Sequence, residues 1–505
     1  MHGLRGGGWV SLPRFEVALM HTACAVQQPN PRASQQSSQQ SNQGMDWSEW
    51  IEKLREAPLF WWLDSAQVGP RLGRYSYAGA DPYLVVRGFG DRIELEVRRV
   101  VRPDLEPGRS VLRGRPLDVL QGLLPPPPSA GDDPQFPFLG GAVGYFGYEL
   151  AAEIEPVVLR SLDDLELPDL CWLFVDRLLA FDHLEGRTRS IGLGFAADAE
   201  LAQERASLAA AQPLPAAAPR SSPRRPVASR DGSACFDEAS YLKAIVRAKE
   251  RIEAGDVYQV CLTRRSDLVF AGDPWRLYQR LRECNPAPFA AYLALGDVTL
   301  LSCSPERFLS LSSDRQVESR PIKGTRPRGE GPVSDRAAQQ ALRSSEKDRA
   351  ENLMIVDLVR NDLGRVCETG SVRVPELMEI ESYATVFQMV STVQGRLRID
   401  RDVFDLVRAT FPPGSMTGAP KLAAMAILDR LEPVRRGIYS GALGFLDLRG
   451  GTGLSVVIRT ILLKDGRAYV HSGGGIVADS RPAAEWRETE DKARALLAAI
   501  ATASE

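Results

Sequence analysis

Apolar residues recur at helical spacing over residues 236–255, where Tyr241, Ile245, Val246, Ala248 and Ile252 share one face. That spacing predicts a helix, and Gly255 is placed to end it. The stretch VYQVCLTRRSDLVF then alternates apolar and polar side chains, as a strand does. Further strands are predicted at 290–295, 308–311 and 316–319. The C-terminal part is the most regular. There GALGFLDLRGGTGLSVVIRTILLKDGRAYVHSGGGIV reads as antiparallel strands joined by turns at Arg449-Gly450-Gly451 and Lys464-Asp465-Gly466. Helices are predicted at 403–409, 420–431 and 481–499. Nearer the N-terminus, 47–56 is an amphipathic helix, and 83–86 and 93–97 are antiparallel strands. A glycine-rich strand segment (FLGGAVGYFGYELAAEIE), a strand at 171–181, another at 190–195 and a helix running to Leu208 follow. Helices mixed with sequential antiparallel strands predict an α+β protein, with large antiparallel β-sheets packed together and flanked by helices.

Residues 28–45 are rich in Gln and Ser and bury too little apolar surface to offset ordering. Residues 1–45 are therefore expected to be a disordered or dispensable extension, with Met45 opening the folded protein. Residues 46–200 read as an N-terminal lobe, 201–232 as an Ala-, Pro-, Arg- and Ser-rich linker, and 233–505 as a catalytic region. Over 505 residues the formal net charge is only -3, which gives no footprint for nucleic acid or a membrane surface. No run of 18 apolar residues and no clean signal peptide is present, so a cytoplasmic protein without a membrane span is expected. The seven cysteines form no CxxC pair, which predicts free thiols and no zinc site.

Candidate chemistry lies in three places. In SSEKDRAENLMIVDLVRNDLG, Asp348 and Glu351 are three apart on a helix; in DSRPAAEWRETEDKARALLAAI, Glu485 and Glu488 repeat that spacing with Lys492 one turn on. Such pairs are either solvated acids or two carboxylate faces aimed at one Mg²⁺, an ion that prefers oxygen ligands. In the first segment Ser345 with Asp348 also fits a capping box. Two glycine-rich segments follow. PIKGTRPRGEG sets Lys323, Arg326 and Arg328 among glycines, and HSGGGIVADS places Gly473, Gly474 and Gly475 between a strand and a helix. Each is either a sharp turn or a backbone cradle for an anion. Finally, Arg459 lies within the apolar run LSVVIRTILL, where it needs an internal or a substrate carboxylate. Glu306 follows Pro305 at a strand start, as a solvated acid or a general acid or base. The four histidines form no convincing hydrolytic triad.

Taken in order, SPERF, PIKGTRPRG, AENLMIVDLVRNDLGRV, FPPGSMTGAPK, the IRT strand, SGGGIVADS and the ExxET helix resemble the chorismate-utilising enzymes. These include anthranilate, aminodeoxychorismate, isochorismate and salicylate synthases. The segment LDSAQVGPRLGRYSYAGADP resembles the N-terminal lobe of the two amine-forming branches. The resemblance implies that Glu351 and Glu488 bind Mg²⁺, supported by Asp348 and Glu485. It implies that Arg459, Tyr439, Gly473, Gly474, Gly475 and Lys492 hold substrate, with Ser415, Gly324 and Thr325 alongside. It gives Glu306 the part of general acid or base.

At Lys323 the sequence resembles the aminodeoxychorismate branch (PIKGT) rather than the anthranilate branch (PIAGT). In that branch the lysine is thought to attack C2 of chorismate and displace the C4 hydroxyl. Arg326 and Arg328 could supply a field that favours its neutral amine. Where many relatives carry a histidine, this chain carries Gln388, which cannot exchange a proton near neutral pH. The sequence holds no amidotransferase motif and no lyase segment, so a glutamine amidotransferase partner supplying ammonia is implied. The match at Asp64 and Ser65 corresponds to an amino-acid pocket or to ordinary strand packing. Two alternatives to an aminodeoxychorismate synthase component I stand beside it: an anthranilate synthase component I and a non-catalytic scaffold that binds the amidotransferase.

Overall fold

The computed structural model describes residues 21–27, 46–69, 71–125, 127, 136–212, 236–383 and 386–503. Their strands form two large antiparallel sheets. The first holds eleven strands, in the order His21–Gln27, Arg187–Ala196, Arg177–Asp182, Tyr75–Gly79, Trp61–Asp64, Phe289–Ala294, Val298–Ser304, Thr460–Lys464, Arg467–Ile476, Gln259–Val269 and Gly418–Ala419. The second holds twelve. Ile322–Pro327, Val386–Arg396, Gln316–Arg320, Arg307–Leu311, Thr452–Val456 and Ala442–Asp447 come from the C-terminal half. Gly141–Phe146, Leu170–Val175, Leu84–Phe89, Arg92–Val97 and Gly108–Arg113 complete its main path, and Arg373–Ser382 pairs beside Val386–Arg396. The fold is thus the expected α+β arrangement of large antiparallel sheets flanked by helices.

Strand alternation explains the layering. Successive side chains face opposite ways, so Trp61 enters the core between the sheets while Trp62 enters the layer beneath the helices. In the inter-sheet core Tyr77 of the first sheet meets Phe445 of the second edge-on, at 6.0 Å between centroids. On the outer face of the first sheet, Trp62 packs with Trp275 and Tyr278 of the helix Pro274–Cys284 and with Leu496 and Ile500 of the helix Pro482–Ala503. Both sheets draw strands from both halves of the chain: Trp61–Asp64 pairs with Phe289–Ala294, and Gly141–Phe146 pairs with Ala442–Asp447.

Two long apolar runs expected as single strands are each divided between the sheets. Residues 171–181 split at Asp176 into Leu170–Val175 and Arg177–Asp182. The LSVVIRTILL run splits into Thr452–Val456 and Thr460–Lys464. Arg459 is therefore not inside a strand. It lies at the crossover with φ +52, a left-handed conformation that costs a non-glycine residue energy and persists where the surroundings hold it. A third crossover, from Val298–Ser304 to Arg307–Leu311, carries Glu306. Apolar periodicity continues across such crossovers, because each strand is buried in its own sheet.

Within the extension expected to be disordered or dispensable, one strand is formed. His21–Gln27 pairs along its whole length with Arg187–Ala196. Ala23 and Ala25 pack against Ala202, Ala206 and Ala210 of the helix Ala199–Ala211. The helix lies close because Gly192 and Gly194 have no side chains: a Cβ on Gly194 would lie 2.0 Å from the Ala202 carbonyl oxygen. That helix is the one expected to run to Leu208, and it ends three residues beyond, at Ala211. Residues 213–235 and 28–45 lie outside the described residues.

Candidate active site

Two helices and one strand build the acidic centre. The helix Glu346–Gly364 is capped by Ser345, whose hydroxyl accepts the Asp348 amide; this is half of the expected capping box, since the Asp348 carboxylate turns to Arg326. Pro482 opens the helix Pro482–Ala503, in the first turn where its missing N–H costs nothing. These helices bring Glu351, Glu485 and Glu488 to the glycines of the strand Arg467–Ile476. A Cβ built on Gly474 would stand 3.3 Å from Glu485 Oε2 and 3.5 Å from Glu488 Oε1. On Gly475 it would stand 3.2 Å from Glu351 Oε2 and 2.2 Å from Gln259 Nε2. The glycines are strand residues, paired with Thr263, Leu262 and Cys261, and do not form a turn between strand and helix. Their service to the site is the side chain they lack, which lets three carboxylates approach the sheet.

Lysines balance this charge. Lys347 Nζ lies 3.2 Å from Glu485 and 3.8 Å from Glu351. Lys492 Nζ lies 2.6 Å from Glu488 and 2.8 Å from the Gly473 carbonyl. Burial raises the Glu351 carboxyl above its ordinary range, against the pull of Lys323 and Lys347. Burial acts the same way on Glu488, but Lys492, together with Lys347 and Lys323, more than offsets it and holds that carboxyl low. Glu485 is 3% exposed, and its Oε2 is buried without a hydrogen-bond partner.

The residues suit Mg²⁺ by their chemistry. All three side chains offer carboxylate oxygen, and Glu485 Oε2 is an acceptor with no donor. Among the described residues no three acidic or histidine side chains close into a preformed cage. Mg²⁺ often takes only one or two carboxylates and keeps waters and substrate oxygens, so an open set fits it. Asp348 does not join the set: its carboxylate is held 2.7 Å from Arg326 Nη2.

Lys323 enters from the strand Ile322–Pro327. The register to the neighbouring strand slips between Ile322↔Val390 and Thr325↔Gln388, which leaves one extra residue in a bulge. Gly324 takes φ +87 there, and a Cβ on it would lie 2.9 Å from Asp348 Cβ. Such bulges re-aim side chains. Here the Lys323 ammonium reaches the Ser415 carbonyl at 3.0 Å, in the short helical turn Gly414–Met416. Its charge acts on both Glu306 and Glu351. Thr325, next along, is exposed. Arg326 and Arg328 do not supply a free positive field: Arg326 is paired with Asp348, and Arg328 holds Asp335 and the Tyr383 carbonyl.

Glu306 is buried, and burial pushes its carboxyl up to about 7; the Ser415 hydroxyl and the Lys323 charge act the other way. The Ser415 hydroxyl faces Glu306 at the edge of hydrogen-bonding geometry and has no full partner. Both line a void of about 20 Å³, room for roughly one water. The two crossovers are bonded neighbours: the Val456 amide donates to the Glu306 carbonyl, and the Cys303 amide donates to the Arg459 carbonyl.

Among the described residues the Arg459 guanidinium bonds the Lys492 carbonyl and pairs with no carboxylate. Burial disfavours its charge, while Tyr439 and Glu488 support it. Tyr439 is buried and stacks on His471 at 5.0 Å. Burial and the cations Arg265 and Arg436 hold His471 well below the ordinary imidazole range, so it is a neutral packing group. Gln388 is buried, with its Oε1 unpartnered.

Sequence reasoning missed Gln259 and Lys347. Gln259 is 1% exposed and donates to Glu351 at 3.3 Å. Its signal was a polar residue among the inward positions of an alternating strand. The signal for Lys347 was its position one turn before Glu351. Asp64 and Ser65 lie elsewhere, on a separate cavity of about 640 Å³ between the sheets, bordered also by Arg71, Tyr75 and Phe445. Asp64 turns to Arg282 and Tyr278, and Ser65 to the Tyr75 carbonyl.

A family model for chorismate binding enzymes matches residues 97–498. The chain is 44% identical over 456 residues to an aminodeoxychorismate synthase of Streptomyces pristinaespiralis; the match takes in 88% of this chain but spans only 62% of that protein. It is 36% identical over 474 residues to anthranilate synthase component 1 of Acetivibrio thermocellus, covering 90% of this chain and 92% of that protein. The crystal structure of anthranilate synthase component I from Streptococcus pneumoniae TIGR4 superposes with a TM-score of 0.70 at 29% identity, covering 85% of this chain and 93% of that one. No helix among the described residues is long and apolar enough to cross a membrane.

Proposed function

The chain belongs to the family of chorismate-binding enzymes, and from that premise we propose that it is the chorismate-aminating component of an aminodeoxychorismate synthase. The observation that carries this reading is Lys323, aimed by its bulge to a point between Glu306, Ser415 and Glu351. The higher identity to the aminodeoxychorismate synthase than to the anthranilate synthase supports it.

The residues divide the work as follows. Lys323, once its ammonium has given a proton to solvent, attacks ring carbon C2 of chorismate. The two ring double bonds shift and the C4–O bond breaks, with Glu306 protonating the departing hydroxyl as water. A buried carboxyl pushed up to about 7 keeps that proton near neutral pH. Ammonia then bonds to C4, the double bonds shift back, and the C2–Nζ bond breaks. Lys323 is regenerated, and the Glu306 carboxylate takes the proton shed by the entering nitrogen. Chorismate and ammonia thus give 4-amino-4-deoxychorismate and water. Arg459, Tyr439 and Lys492 hold the enolpyruvyl and carboxylate groups, charge meeting charge in a dry site. Glu351 and Glu488 would hold Mg²⁺, with Glu485 beside them; that ion would anchor the ring carboxylate and draw electrons toward it. Gln388 carries no titratable proton, so proton transfer rests on Glu306. A glutamine amidotransferase partner supplies the ammonia.

The test is product identification by mass, with purified protein, chorismate, Mg²⁺ and an ammonium salt. An aminated product that keeps its enolpyruvyl group is expected. Anthranilate with pyruvate would assign the chain to the anthranilate branch, and no turnover with or without the partner would leave a scaffold.

A further inference from the structure

Lys347 stands where helix electrostatics argue against a lysine. It is in the first turn of the helix Glu346–Gly364, near the positive end of the helix dipole, which favours anions. Its pairing with Glu351, lysine first and glutamate four residues later, is the weaker orientation for such a pair. Its ammonium nevertheless reaches into the acidic centre, 3.2 Å from Glu485 and 3.8 Å from Glu351. Glu485 has 3% exposure, one oxygen bonded to Lys347 and the Ser480 hydroxyl, and the other without a partner. The Lys347 side chain is 46% exposed, so it can leave toward solvent without disturbing the core. Lys492 differs: it is tied to Glu488 and to the Gly473 carbonyl and bridges no pair of acids.

We propose that Lys347 is a built-in surrogate cation, holding Glu351 and Glu485 together in the metal-free protein and displaced to solvent when a divalent cation binds between the helices. The inference rests on the magnesium reading above. It adds that binding the ion first breaks two ion pairs, so the lysine lowers metal affinity and preserves the geometry of the acids until the metal arrives. Removing its charge then has opposite effects on two quantities that a merely structural residue would move together.

The experiment uses Mn²⁺ as the probe, with no chorismate present, and follows free metal by its paramagnetic resonance signal. The proteins are the full chain, Lys347→Gln, Lys347→Arg and Glu351→Gln. Lys347→Gln is expected to bind Mn²⁺ on the order of three- to tenfold more tightly, the range for losing a half-exposed ion pair and a repulsion screened by water. It should also melt at a lower temperature without metal. Lys347→Arg should follow the wild type, and Glu351→Gln should bind more weakly. On the unsubstituted protein, the rate of Lys347 acetylation, read by peptide mass, should rise when Mn²⁺ is added. If the wild type binds Mn²⁺ and Glu351→Gln weakens it, but Lys347→Gln binds no more tightly, the surrogate role fails and the metal site stands. A Lys347 acetylation rate unchanged by bound Mn²⁺ would overturn it equally. No binding by the wild type, or binding indifferent to Glu351→Gln, overturns both readings.

Discussion

At the scale of single residues, Glu306 gives the account its pH dependence. Its carboxyl is pushed up to about 7 from an ordinary 4.5. The folded chain therefore holds this proton more tightly than the unfolded chain. The stability it contributes is complete below about pH 4.5 and is lost as pH rises through about 7, amounting to roughly 3 kcal/mol at most. Glu306→Gln stays neutral throughout. Thermal melts should show its stability relative to wild type improving between about pH 4.5 and about pH 7 and levelling off above. The same residue acting as an acid predicts that Glu306→Gln loses most activity, and that at equal free NH3 the ratio of wild-type to Glu306→Gln turnover falls as pH rises through about 7; a ratio flat through neutrality would remove the acid role. The residues that could be read without a structure are those whose chemistry is local. Glu351, Glu485 and Glu488 announce themselves by helical spacing, and Lys323 by its motif. Asp348 was indistinguishable from them in sequence, since only the fold reveals that Arg326 takes its charge. Gln259 and Lys347 were illegible for the converse reason: a strand glutamine and a surface-helix lysine carry no meaning until the acids they touch are in place.

At the scale of elements, periodicity identified most strands and helices but not where strands change sheet. Asp176, Glu306 and Arg459 all occupy such crossovers, between strands that are apolar on both sides. At Asp176 and Arg459 the ladder ends without a glycine or proline, so the run reads as continuous, whereas Pro305 marks the break at Glu306. The edge strand His21–Gln27 escaped for another reason. Its alanines and cysteine carry little hydrophobic signal, and its partner helix fits only because Gly192 and Gly194 open the space. The strand Arg467–Ile476 yields a direct test of what its glycines do. In Gly475→Ala the new methyl meets Gln259 Nε2 and Glu351 Oε2. A drop of at least about tenfold in kcat/KM is expected, the loss of about 1.4 kcal/mol in the transition state. The melting transition should persist, because the clash falls on side chains of the site. An alanine variant with unchanged kcat/KM would show that the acids need no such clearance.

At the scale of the whole molecule, the two halves are one structure. Strands from both enter both sheets, and the inter-sheet core joins Trp61 and Trp172 to Leu443 and Leu454. A chain of residues 236–505 alone would expose the edges of Phe289–Ala294 and Ala442–Asp447 that now pair with Trp61–Asp64 and Gly141–Phe146. It should fail to give a cooperative thermal transition; a sharp melt from that fragment would contradict a shared core. The same interleaving gathers the site, for Glu306 and Arg459 sit on adjacent crossovers, Lys323 on the second sheet, Glu351 on a helix packed mainly against that sheet, and Glu485 and Glu488 on a helix over the first. The central claim is that this gathering makes Lys323 a nucleophile toward chorismate. It is tested most directly by quenching the protein with chorismate and Mg²⁺ in the absence of ammonia and weighing its peptides. The peptide containing Lys323 should gain the mass of chorismate less one water, the adduct should vanish on adding ammonium, and Lys323→Ala should neither form it nor make the aminated product. An unmodified Lys323 peptide, with aminated product still formed by Lys323→Ala, would contradict the account.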